Sequence, residues 1–135
     1  MIIKATIEMS NDGLFSVYSD AKIGVSFLGG YGNTAQEAKD DFMKSIDEAI
    51  EECDAEGIEH PLPDQIKVNF IYDLSAFLCE FDWLNMSKLA NYLGVNSSQL
   101  RYYKKKGAYA SNAQRQMIEN GLHALAARLS EVSLL

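Results

Sequence analysis

The sequence predicts an α+β chain in two parts, a β-β-β-α-β unit over residues 1–72 and an all-α unit over residues 73–135. Three observations predict it. Apolar and polar residues alternate in IIKATIEM (2–9) and again in IKVNFIY (66–72), the period of a half-buried strand. Between these runs, and after the second, apolar residues recur at helical spacing. The charge also divides: residues 1–82 hold 5 Lys and no Arg against 17 Asp plus Glu, a net of -12, while residues 83–135 hold 7 Lys plus Arg against 2 Glu, a net of +5. A charge asymmetry of this kind points to two surfaces with different partners.

In the first part, Ile3, Ala5, Ile7 and Met9 fall on one face of a strand, with Lys4, Thr6 and Glu8 on the other. Asn11-Asp12-Gly13 is a hairpin turn signal, since glycine takes positive φ without a steric cost. Leu14 to Ser19 reads as the returning strand, and a third strand falls within Gly24 to Tyr31. Gly29, Gly30 and Gly32 predict a bend or bulge at its end. Thr34-Ala-Gln-Glu37 is a capping box that opens a helix. Its apolar stripe is Ala38, Phe42, Ile46, Ala49 or Ile50, and Cys53, and Gly57 stops it. The opposite face carries Glu37, Asp40, Asp41, Asp47, Glu48, Glu51 and Glu52, the pattern of a solvated or partner-facing surface. HPLPDQ (60–65) holds both prolines and reads as a turn before the fourth strand.

In the second part, Asp73 caps a helix with an apolar face of Leu74, Phe77, Leu78 and Phe81. Asn85 caps a helix from Met86 to Leu93, and Asn96 caps one from Ser97 to about Lys105. Two short helices crossing steeply need a small residue where they touch, a turn residue tolerant of left-handed φ, and an apolar seal inside. Ala90, Gly94 and the set Leu89, Leu93, Val95, Leu100 and Tyr103 meet these needs and predict a helix-turn-helix. The outer face of the second helix holds Ser97, Ser98, Gln99, Arg101 and Tyr102, with Lys104, Lys105 and Lys106 at its end. Serine and glutamine suit base edges, arginine suits guanine, and lysine suits phosphates. No acidic residue occurs from Trp83 to Ile118, which favours DNA contact over a merely solvated lysine run. Ser111 caps a last helix to about Glu131, with Met117, Ile118, Leu122, Leu125, Ala126 and Leu129 as its stripe and Gly121 as a weak point. Val132, Leu134 and Leu135 pack internally or support a dimer.

Little in the chain points to an enzyme or to a cofactor. Cys53 and Cys79 stand far apart, as do His60 and His123, so no short-spaced set of metal ligands exists. Glu8 is the one acid well inside a predicted strand, too few for a two-metal nuclease. GGYG (29–32) matches neither phosphate-binding glycine motif. No apolar run is long enough for a bilayer, and MIIKATIEMS has no signal-peptide pattern, so a cytoplasmic chain without membrane contact is expected.

Taken together, the Asn-Asp-Gly turn between strands, NTAQEAKDDFMKSIDEAIEE (33–52) and SKLANYLGVNSSQLRYY (87–103) resemble the HicB antitoxin family of bacterial toxin–antitoxin systems over nearly the whole chain. The resemblance implies a partial ribonuclease H-like domain, not catalytic, that masks a small basic ribonuclease toxin of HicA type. It also implies a lambda-repressor-like helix-turn-helix that binds the DNA operator and represses its own operon, as a homodimer or higher oligomer. Reading the residues alone leaves two alternatives: a regulator whose N-terminal part senses a ligand or protein, and a metal-dependent nuclease of ribonuclease H type.

Overall fold

The computed structural model describes every residue from Met1 to Leu135, and the chain is mixed α+β with one four-stranded sheet and five α-helices. It divides into two compact units, residues 1–80 and 81–135.

The first unit begins with β1 (Ile2–Met9), whose alternation buries Ile3, Ala5 and Ile7. Ser10 to Leu14 closes the hairpin: Asp12 accepts the Leu14 N–H at 3.2 Å, and Gly13 takes φ 86°. β2 (Phe15–Ile23) and β3 (Ser26–Gly32) follow, each antiparallel to the strand before it. After α1 (Ala35–Glu56), the chain returns through a short 3-10 turn at Pro63–Gln65 to β4 (Lys67–Tyr72), which lies parallel to β1. The sheet order is β3-β2-β1-β4, so the first strand is central and the last forms an edge.

The α1 helix forms because its signals agree. Thr34 Oγ1 accepts the Glu37 N–H at 3.1 Å, while Glu37 accepts the Asn33 N–H at 2.8 Å. Gly57 ends the helix at φ 68°. Ala38, Phe42, Ile46, Ala49, Ile50 and Cys53 are all buried, in one core with β1, β2 and Leu28 of β3. Phe42 meets Phe70 of β4 edge to face at 6.0 Å.

Three expectations change here. The irregularity lies in β2, between Tyr18 and Lys22, and not at the glycines. Gly30 and Gly32 instead let α1 approach β3, because a Cβ on Gly30 would stand 2.5 Å from the Ala38 carbonyl oxygen. The boundary also falls later than residue 72. In α2 (Leu74–Glu80) the buried residues are Ser75, Ala76 and Leu78, and Ala76 belongs to the sheet–helix core. The face expected from Leu74, Phe77 and Phe81 is only half-buried.

The second unit contains α3 (Met86–Leu93), α4 (Ser97–Lys104) and α5 (Asn112–Ser130). Ser111 Oγ accepts the Gln114 N–H at 3.2 Å and opens α5. The α5 run is continuous through Gly121. Its missing side chain lets α5 approach α3, where a Cβ would meet Leu93 Cδ2 at 2.5 Å. The predicted stripe of α5 is mostly uncovered: Ile118 is buried, Leu122 and Leu125 are half-buried, and Met117, Ala126 and Leu129 are exposed. The helix outruns the eight-residue α3, and Arg128 in its last turn reaches back over the Tyr92 ring of α3 at 5.8 Å. No helix is long and apolar enough to cross a membrane.

Candidate nucleic-acid interface

The candidate surface is built on α3 and α4. Asn85 Oδ1 accepts the Lys88 N–H at 2.9 Å and starts α3, and Asn96 Oδ1 accepts the N–H groups of Ser98 and Gln99 at 2.9 and 3.2 Å and starts α4. Between them Gly94 sits at φ 75°, and the Val95 N–H returns to the Ala90 carbonyl at 2.9 Å. This fixes a tight turn of Gly94, Val95 and Asn96 between the helices. Leu89, Ala90, Leu93, Val95, Leu100 and Tyr103 are all buried, with Ala90 and Leu100 at 0% exposure. Tyr103 also donates its hydroxyl hydrogen to Gln114 Oε1, which ties α4 to α5.

The seal leaves one face of α4 in solvent. Ser98, Arg101 and Tyr102 are exposed, as are Lys105 and Lys106 just beyond the helix end. Ser97, Gln99 and Lys104 are half-buried. The eight candidates therefore share one short stretch but not one degree of access.

Two residues not among the sequence-predicted DNA contacts join them. Ser87 and Lys88, in the first turn of α3, are exposed, and Arg101 donates from Nη2 to Ser87 Oγ. The link spans two helices, so no spacing rule within either helix signals it. The helix end of α4 also departs from the usual chemistry. The Lys106 N–H bonds the Tyr103 carbonyl at 3.0 Å and the Gly107 N–H bonds the Tyr102 carbonyl at 3.0 Å. Lys106, not Gly107, takes the left-handed conformation, at φ 59°. Gly107 plays another part: it makes room for the Tyr102 ring, which a Cβ there would displace.

The first unit offers different chemistry. The acidic side chains Glu37, Asp40, Asp41, Asp47, Glu48, Glu51 and Glu52 are exposed along α1. Several of them also serve the fold: besides the capping contact of Glu37, Asp40 accepts from Gln36 Nε2 at 3.0 Å, Asp41 accepts the Tyr31 N–H at 2.9 Å and Glu52 accepts the Ser26 hydroxyl at 2.5 Å. Glu8 accepts the Tyr18 hydroxyl at 3.1 Å on the sheet face opposite α1. Burial, helped by a hydrogen bond to Glu80, pushes the Tyr72 phenol above its usual range. No three His, Cys, Asp or Glu side chains converge as a metal site would need. The chain matches no family model, no curated protein and no solved structure.

Proposed function

We propose that the chain is a DNA-binding antitoxin of the HicB type, working in the cytoplasm, whose helical unit represses its own operon and whose acidic unit masks a small basic ribonuclease toxin. The observation that carries the DNA half is the sealed α3–α4 pair, which buries its whole apolar set and leaves Arg101, Tyr102, Lys105 and Lys106 exposed in an acid-free stretch. Such a face suits a polyanion: lysines hold phosphates, and the first turn of α4 meets base edges. At physiological salt, screening acts over about 8 Å, so charges farther than that from the face contribute little to it.

The toxin half is supported by the exposed acids of α1, which steer a basic partner towards the chain. The partial ribonuclease H-like character and the antitoxin role rest on the resemblance of residues 33–52 and 87–103. A homodimer or higher oligomer is supported by the uncovered Leu129 and Val132 at the end of α5.

The test uses the gene next to this one. Its product, if small and basic, is co-expressed with the tagged full chain, and the complex is assayed for retention and for loss of ribonuclease activity. A mobility-shift titration with the DNA upstream of the pair tests repression. Retention by residues 81–135 but not by residues 1–80 would overturn the division of labour. A neighbour without toxicity, together with specific DNA binding, would favour a regulator with a sensing N-terminal unit instead.

A further inference from the structure

Arg101 stands in the second half of α4 and donates from Nη2 to Ser87 Oγ in the first turn of α3. Both residues are exposed. Arg101 forms no ion pair with a carboxylate, and the sequence around it is acid-free from Trp83 to Ile118. Ser87 therefore occupies part of a five-donor fork and leaves the remaining N–H groups for another acceptor. An arginine that reads guanine aims both arms of its fork at one base. Here a terminal nitrogen is already on Ser87. In a helix-turn-helix the bases meet the N-terminal residues of the second helix, while the first helix crosses the backbone. Arg101 is late in α4 and is drawn towards α3.

We infer that Arg101 holds a backbone phosphate of DNA and does not read a base, with Ser87 as its positioning residue. This rests on the DNA-binding reading above. Sequence discrimination then falls to the first turn of α4, where Ser98 is exposed.

The test begins with the full wild-type chain and a random-sequence duplex library. Failure to enrich any duplex would sink the DNA-binding reading itself. With an enriched duplex in hand, its affinity and that of a scrambled duplex are measured over a salt series for wild type, Arg101→Ala, Ser87→Ala and Ser87→Thr. Arg101→Ala should weaken both duplexes by the same factor, roughly tenfold, and make the salt slope shallower by about 1. Ser87→Ala should weaken both by roughly threefold, and Ser87→Thr, which keeps the hydroxyl, should bind as wild type does. Circular dichroism checks folding. If Arg101→Ala unfolds, Arg101→Lys replaces it, because lysine still neutralises a phosphate but loses the planar fork. Retained specificity in that variant supports the inference. Loss confined to the enriched duplex with an unchanged salt slope, or Ser87→Thr behaving as Ser87→Ala does, would overturn it.

Discussion

Single residues carry two of the sharper consequences. Lys106 holds a left-handed backbone where glycine costs nothing, and a side chain there costs about 1 kcal/mol. Lys106→Gly should therefore raise the thermal midpoint of the helical unit while weakening DNA binding to every sequence alike. A calorimetric scan and a mobility-shift titration on the same sample check both signs, and equal or stronger DNA binding would remove Lys106 from the interface. His60 is the second case. Its Nδ1 faces the Pro61 carbonyl oxygen at 2.9 Å and its Nε2 faces Asp54 at 2.6 Å, so only the doubly protonated ring satisfies both acceptors. The Pro61 carbonyl first, and Asp54 second, raise its pKa above the ordinary 6.5. A raised value means that the protonated form favours the fold. This contribution is present in full below the ordinary pKa and fades as pH rises through the higher folded value. Denaturant midpoints should fall across that window in wild type and stay flatter in His60→Gln.

At the scale of elements, much was legible. Thr34 and Glu37 open α1 and Gly57 closes it, because capping chemistry is local and the residues sit next to the groups they satisfy. The packing of α3 on α4 was legible for the same reason: Ala90, Gly94 and Leu100 act across one turn. What was missed depends on approach between distant segments. The glycines of β3 look like a bend in sequence, but they are clearances for α1. Gly30→Ala should accordingly destabilise the first unit by roughly 2–3 kcal/mol through overpacking, read from a denaturant titration of the full chain. The stripe of α5 has correct helical spacing, yet periodicity says which face is apolar and not what stands opposite it. The Ser87–Arg101 contact, likewise, exists only once the turn has folded.

On the scale of the whole molecule, the division after Glu80 gives a prediction about where the chain can be cut. Ala76 and Leu78 of α2 are fully buried, at 0% and 1% exposure, and Ala76 joins the core of the first unit. A fragment ending at residue 72 should melt at a lower temperature than one ending at residue 80, because it exposes the core that Ala76 covers. Circular dichroism melts of the two fragments decide this, and equal midpoints would return the boundary to residue 72.

The parallel pairing of β1 with β4 sets an order of events. Ile2 aligns with Lys67 and Ile7 with Tyr72, so the central strand waits for the fourth before its second edge is filled. On the ribosome this is a long delay, since the hairpin partner emerges early and the other neighbour only after α1 has been made. Closing so large a loop is also slower than zipping neighbouring helices. The helical unit, built from contacts close in sequence, then folds soon after it is synthesised, while the sheet–helix unit closes only once residue 80 is free of the exit tunnel. During that interval β1 presents an unprotected edge, and a nascent chain is at its most open to pairing with the wrong strand.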